Sequence, residues 1–262
     1  MQKNRTALIT GASLGIGKEL AHVHAERGGD LIVVARSEDK LEALKSTLES
    51  EHGVKVTVIS KDLAQPSAAS ELYEEVKRAG IVIDYLINNA GFGGRGKFHE
   101  RPWEQDLAML NLNIVALTSL TRFFLPDFVA RNEGRILNVS STASFMAGPL
   151  QAVYYASKAY VTSFSNAVSE ELHDTNVSVT ALMPGATDTD FARAADMEKT
   201  SLFDKTASAR VVAEEGYDGM LDGKLDVIAG LTLSQRMVLG AIGVTPKKVV
   251  LKQIRQIQEV KR

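Results

Sequence analysis

Seven short apolar or β-branched runs recur along the chain, at residues 7–9, 31–34, 54–59, 81–87, 135–139, 177–182 and 225–229. Stretches of helical period lie between them, such as Leu41, Leu44 and Leu48, and then Leu72 and Val76. Strands of roughly four to eight residues alternating with helices imply βαβ units and a parallel sheet covered on both faces. The expected fold is therefore α/β: a doubly wound, seven-stranded parallel sheet with helices on both faces. No repeat, low-complexity tract or Pro/Gly/Ser-rich linker divides residues 1–262, so one domain is expected. Two longer helical segments are expected at 103–130 and 151–175, the first ended or kinked near Leu125 by Pro126.

Composition narrows the function. With 262 residues, 45% of them hydrophobic and 24% charged, the chain can bury a sizeable core. Thirty Lys+Arg against 32 Asp+Glu leave a net charge of -2, without the basic surplus of a nucleic-acid binder. Cysteine is absent, which removes disulfides, thiolate metal sites and cysteine nucleophiles. No window approaches about 18 uninterrupted apolar residues, and the start, Met-Gln-Lys-Asn-Arg-Thr, does not read as a secretory signal. No membrane span and a cytoplasmic location are expected. No metal site is expected either: His22 and His24 point to different faces of a helix, and His52, His99 and His173 are scattered.

Thr10-Gly11-Ala12-Ser13-Leu14-Gly15-Ile16-Gly17 follows the first strand and opens the first helix. Gly11 permits a tight turn, Gly15 lets backbone approach a pyrophosphate, and Gly17 lets helix and sheet pack closely. The helix start offers free N–H groups and a positive dipole end to phosphates. The same glycines read alone also suit a plain turn. The second strand run then ends in Arg36 and Ser37, where a fold selective for NAD places a carboxylate. Arginine pairs with a 2′-phosphate and cannot accept from a hydroxyl, so NADP(H) is expected. The competing reading is a solvated surface arginine paired with Glu38 or Asp39.

Tyr154-Tyr155-Ala156-Ser157-Lys158 opens the second long helix. Residues i and i+4 share a helical face, so Tyr154 and Lys158 can act on one small molecule; Tyr155, at i+3, is also close. Bringing a phenol from about 10 to about 7 takes roughly 4 kcal/mol of preferential phenolate stabilisation, for which an ammonium is one source. Spacing leaves the choice between the two tyrosines open.

These motifs, with Asp62-Leu63, Asn88-Asn89-Ala90-Gly91, Asn113, Ser140-Ser141 and Pro184-Gly185-Ala186-Thr187-Asp188-Thr189 in the same order, resemble a short-chain dehydrogenase/reductase over about residues 5–230. The resemblance implies a Rossmann fold and an oxidoreductase that interconverts a carbonyl and a secondary alcohol by hydride transfer with NADP(H). It selects Tyr154 as proton donor and acceptor and Ser141, rather than Ser140, as the hydroxyl on the substrate oxygen. Lys158 would bond the nicotinamide ribose and depress the tyrosine pKa, and Asn113, rather than Asn111, would hold a water chain. Gly11, Ser13, Leu14, Gly15, Ile16 and Gly17 would take the diphosphate of the cofactor and Arg36 its 2′-phosphate. Asp62 and Leu63 would contact adenine, and Asn89, Ala90 and Gly91 the adenosine ribose. Pro184, Gly185, Thr187 and Thr189 would frame the nicotinamide.

Within the family the sequence is similar to an NADP-preferring subgroup of general oxidoreductases, distantly similar to long-chain 3-ketoacyl reductases. One departure is Leu14, where many NADP-preferring members carry a basic residue. Arg36 must supply most of the 2′-phosphate attraction, with Ser37 or Lys40 as helpers, and NAD(H) stays open as a second cofactor. Phe145, Met146, Leu150, Met183, Phe191, Met197 and Phe203 suggest a hydrophobic substrate, and the run Phe92 to Gly96 is either a substrate contact or a turn. Residues 186–206 read as a lid and 231–262 as a C-terminal extension with a basic amphipathic helix, expected on its own domain or a partner subunit rather than on a membrane. A homodimer or homotetramer through the two long helices is implied. The alternative is a dinucleotide-binding regulatory or interaction protein with vestigial catalysis, against which the intact Ser, Tyr, Lys and Asn set counts.

Overall fold

In a computed structural model, residues 5–194, 197, 200 and 206–259 are described. The sheet is built from β1 (Thr6–Thr10), β2 (Asp30–Ala35), β3 (Val56–Ser60), β4 (Tyr85–Asn88), β5 (Gly134–Val139), β6 (Val177–Pro184) and, after two short strands, β9 (Asp226–Ala229). Its order is β3-β2-β1-β4-β5-β6-β9. Every pairing in it is parallel. The short strands β7 (Thr187–Asp188) and β8 (Ala207–Ser208) pair only with each other.

Side chains alternate across the sheet with period two, and each face recruits its own helices. Ala7, Ile9, Leu31 and Val33 pack with α1 (Gly15–Glu26), α2 (Glu38–His52) and α8 (Ala209–Leu221). Leu8, Ile32, Val34, Leu86 and Ile136 pack with α3 (Ala68–Arg78), α5 (Leu117–Arg131) and α6 (Ala152–Glu171). The Leu41, Leu44, Leu48 stripe is the buried face of α2, as its spacing predicts.

The strand order reverses between β1 and β4, so the loops leaving their carboxyl ends diverge and leave a cleft. Both the glycine turn and Asn89-Ala90-Gly91 lie on its rim.

Two expectations are corrected. The first long helix does not stop near Leu125: α4 (Trp103–Leu110), a π-helical turn (Asn111–Ala116) and α5 run on to Arg131 with Pro126 inside. Burial of Phe124 and Phe128 on either side of the proline offsets the lost backbone bond. This helix is also long and apolar enough to cross a membrane, with a mean hydropathy of 1.4 over its most apolar stretch, but Leu120, Phe124 and Phe128 are committed to the core and Leu117 is buried. The second long helix is shorter than expected, because α6 closes at Glu171. In agreement with the expected helical C-terminal extension, the chain ends in α9 (Leu233–Ala241) and α10 (Lys247–Gln258). The α10 helix packs on its own fold: Ile254 lies against the Tyr154–Tyr155 cluster and Gln258 is fully buried.

Candidate active site

Backbone geometry explains the glycines. Gly11 and Gly15 have φ of 67° and 54°, a left-handed conformation that L side chains rarely adopt. A Cβ on Gly17 would fall 2.3 Å from Asn89 Nδ2 and 2.4 Å from the Gly11 carbonyl oxygen, so β1 and α1 close on β4 only without one. Asn89 seals that junction by donating from Nδ2 to the carbonyls of Thr10 (2.9 Å) and Gly11 (3.2 Å). Its own N–H and that of Ala90 donate to Thr10 Oγ1, each at 3.0 Å. Helix α1 starts at Gly15 with no side-chain cap and no acidic residue in its first turn. Its orphan N–H groups and positive end are left for an anion.

A cavity of about 700 Å³ runs along this cleft. It gathers the expected cofactor positions Gly11, Ser13, Leu14, Gly15, Ile16, Arg36, Asp62, Leu63, Asn89, Ala90, Gly91, Pro184, Gly185, Thr187 and Thr189. It also gathers Ser141, Tyr154 and Lys158. Two named residues stand behind the wall: Gly17, in the packing role just given, and Asn113. Arg36 is exposed at the mouth and forms no ion pair with Glu38 or Asp39 among the described residues, so the paired surface arginine is not what folds. Ser37 lines the cavity beside it, and Lys40 does not. Sequence reasoning missed Lys61, which also lines it and pairs with Glu71 at 3.1 Å.

Local bonding separates the paired candidates. Ser141 and Tyr154 line the cavity together, the Ser141 hydroxyl favouring the Tyr154 phenolate, and Ser141 Oγ accepts from the Ala143 N–H at 3.1 Å. Ser140 turns to α6, donating to the Lys158 carbonyl at 2.8 Å and lying 2.7 Å from Thr162 Oγ1. Tyr155 accepts from Gln258 Nε2 at 2.8 Å, which engages its hydroxyl with α10. Lys158 Nζ donates to the Val139 carbonyl at 2.8 Å and lies 5.9 Å from the Tyr154 ring centre.

Burial lowers the Lys158 ammonium to about 8. It pushes the Tyr154 phenol above its ordinary 10, outweighing the opposing hydrogen bond from Ser141. The depression of the phenol by Lys158 that the motif implies is therefore absent from the chain by itself, which holds Tyr154 as the proton-bearing acid. Burial likewise pushes Tyr155 up to about 12, against the Gln258 hydrogen bond.

Asn113 sits in the π-helical turn. Its Nδ2 donates to the Phe92 carbonyl (3.0 Å) and Ser157 Oγ (3.1 Å), and its Oδ1 accepts from the Phe92 N–H (3.1 Å). A Cβ on Gly91 would lie 3.1 Å from Asn113 Oδ1 and 3.5 Å from Lys158 Nζ, so Gly91 opens the space between them. Asn111, the rejected neighbour, lines the cavity directly.

The apolar wall differs from expectation. Phe191 and Met197 line the cavity, whereas Met183 is buried in β6 and Phe145 is 40% exposed elsewhere. Met146 packs behind Tyr154 and Tyr155 and Leu150 stays off the lining, while Phe203 lies outside the described residues. Phe92, Leu107, Ala143 and Tyr155 complete the wall, and period-based reading had no signal for Leu107 or Ala143. In the Phe92 to Gly96 run only Phe92 reaches the cavity. Gly93 makes room for the rings of Phe191 and Tyr154, and Gly94 and Gly96 lie under Arg101. The histidines also differ from the scatter expected of them, because His22 and His52 meet beside Glu51.

Fold and site together define a doubly wound α/β chain with a Tyr-x-x-x-Lys helix at the switch point of its sheet. The chain belongs to the short chain dehydrogenase family, whose model matches residues 5–200. It is 31% identical over 180 residues to a 7beta-hydroxysteroid dehydrogenase of Collinsella aerofaciens, covering 69% of this chain and 68% of that one. It is 32% identical over 184 residues to a very-long-chain 3-oxoacyl-CoA reductase of Rattus norvegicus, covering 68% and 58%. The solved structure of a short-chain dehydrogenase from Sphingobium yanoikuyae in complex with NADPH superposes with a TM-score of 0.82 at 32% identity, covering 98% of this chain and 99% of that one. Across the curated relatives the match takes up 58–73% of their length. For the first of them, a short chain dehydrogenase of Pseudocercospora fijiensis, the share is 65%.

Proposed function

We propose that the chain is an NADP(H)-dependent oxidoreductase that interconverts a carbonyl and a secondary alcohol on a hydrophobic, lipid-like substrate. The observation that carries this reading is the meeting of Ser141, Tyr154 and Lys158 in one cavity with the uncapped start of α1. The residues suit the dinucleotide: an anion-ready helix end, a glycine turn held close against Asn89 and Thr189 at the cavity, and an unpaired Arg36 for a 2′-phosphate. When bound, the nicotinamide supplies or takes up a hydride.

The chain handles the proton. Ser141 bonds and polarises the substrate oxygen, and Tyr154, protonated at neutral pH because it is buried, gives that oxygen its proton in reduction and takes it back in oxidation. Lys158, held between Val139 and Gly91, presents its ammonium to the cofactor ribose and supports phenolate once charge develops. Asn113 braces Phe92 and Ser157 behind Lys158 and belongs to the proton relay. Phe92, Leu107, Phe191 and Met197 favour an apolar substrate body, in keeping with the steroid and long-chain acyl names of the two relatives.

In the same reading residues 1–262 form one catalytic domain, with 186–206 as lid and 231–262 as a C-terminal extension whose α10 packs beside the pocket. It works in the cytoplasm as a homodimer or homotetramer through the two long helices, which leave Val115 and Tyr160 exposed.

The test is NADPH consumption on a panel of ketones by the parent and by Tyr154→Phe. The expected result is a loss of about 10²–10⁴-fold in kcat with NADPH binding retained. Equal turnover by the two removes Tyr154 from its role. No turnover by either on a broad panel, with NADPH still bound, favours the regulatory alternative.

A further inference from the structure

We propose that His22, Glu51 and His52 form a surface site for a zinc-class transition-metal dication that ties α1 to α2. His22 lies in the third turn of α1, and Glu51 and His52 close α2. Their ligand atoms all lie within 4.8 Å of one another, and His52 Nε2 is 3.7 Å from Glu51 Oε2. Bonds of about 2.0–2.1 Å in a tetrahedron put donors roughly 3.3 Å apart, so the side chains close by about 1.5 Å at most. Their backbones need not move. Val23 and Ala25 pin α1 in the core next to His22, and Leu44 and Leu48 pin α2.

Donor chemistry selects the ion. Two imidazoles and one carboxylate suit Zn²⁺, Co²⁺, Ni²⁺ or Cu²⁺ and give no advantage to the all-oxygen cations Mg²⁺ and Ca²⁺. Three protein donors leave a fourth position facing solvent. Glu26, one turn beyond His22, does not compete for the ion, because Arg210 holds both its oxygens at 2.6 and 2.5 Å. The two helices tied here at their carboxyl ends open, at their amino ends, beside the glycine turn and Arg36. The site stands apart from the reaction chemistry, and the inference does not rest on the oxidoreductase reading.

The experiment titrates the untagged full chain, stripped with a chelator, by calorimetry with ZnCl₂ and separately with MgCl₂. About one equivalent of Zn²⁺ is expected at micromolar affinity, with no heat from Mg²⁺, and a Tm that rises with Zn²⁺ because the ion binds the folded state. His22→Ala and His52→Ala are each expected to weaken binding at least roughly tenfold, and the double variant to abolish both heat and Tm rise. The Gln pair, His22→Gln with His52→Gln, keeps side-chain volume should the Ala variants not fold. Absence of Zn²⁺ binding by the parent, or one equivalent retained by a folded double variant, overturns the proposal.

Discussion

Lys158 is costly to fold, and removing it should separate stability from activity. Its ammonium is buried and its pKa falls from 10.5 to about 8. At pH 7 that shift corresponds to about 3 kcal/mol of destabilisation, at 1.36 kcal/mol per unit. Lys158→Met keeps most of the volume, removes the charge and leaves the Val139 carbonyl without its donor, a loss of about 1 kcal/mol. The variant should therefore be more stable than the parent by about 2 kcal/mol at pH 7 while losing nearly all turnover. The sign with pH follows from linkage. A lysine whose folded pKa is depressed leaves the unfolded chain binding more protons between about 8 and 10.5, so the parent gains stability as pH rises through that window. Met does not titrate, and the variant's advantage should shrink by about 2 kcal/mol between pH 7 and 9.5. Urea unfolding of both proteins at the two pH values measures this. A variant less stable than the parent at pH 7, or an advantage that is flat with pH, refutes the buried-ammonium account.

Arg36→Ala should raise the dissociation constant for NADPH by about 10–100-fold and leave NADH within about threefold, since only the former carries the phosphate that a charged hydrogen bond serves; parallel losses in fluorescence titrations would reject that contact. His24 is fully buried, with Nδ1 2.6 Å from the Tyr217 hydroxyl and Nε2 facing the carbonyls of Arg5 and Asp30. Burial lowers it to about 4, so stability present above pH 6.5 is lost as pH falls towards 4, reaching about 2 kcal/mol at pH 5. His24→Gln should flatten that acid slope in chemical denaturation, and unchanged slopes would show that other groups carry it. Gly17→Ala places a Cβ 2.3 Å from Asn89 Nδ2 and should lower stability by about 1–3 kcal/mol and weaken NADPH binding, both seen in a thermal-shift titration.

The sheet was legible because its strands are apolar runs, those between the edges β3 and β9 largely buried on both faces, and all seven runs overlap observed strands. Edges slipped where apolar residues serve other elements: the run at 81–87 includes Ile83, which is buried ahead of a strand that starts at Tyr85. The glycine turn and the Tyr-x-x-x-Lys helix were legible because local spacing sets them. What stayed hidden depends on separation in the chain. The Ser141 contact with Tyr154, the π-helical turn that carries Asn113, and the Leu107 and Ala143 parts of the wall arise only when distant elements pack. So does the meeting of His22 with His52, 30 positions on, which no short-range motif encodes. Whether the helix ends at Pro126 or runs on past it was not legible, because propensity weighs the lost bond and cannot see Phe124 and Phe128 in the core.

Gln258 finds Tyr155 across 103 positions of chain. At roughly 5–20 residues per second, a ribosome needs about 5–20 s after making Tyr155 to deliver that amide. Once residue 229 is made the nascent polypeptide holds every strand, but the phenol beside Tyr154 has no mate until Gln258 arrives. A message truncated between codons 230 and 258 would thus encode a complete sheet in which Tyr155, on the cavity wall, lacks its partner amide.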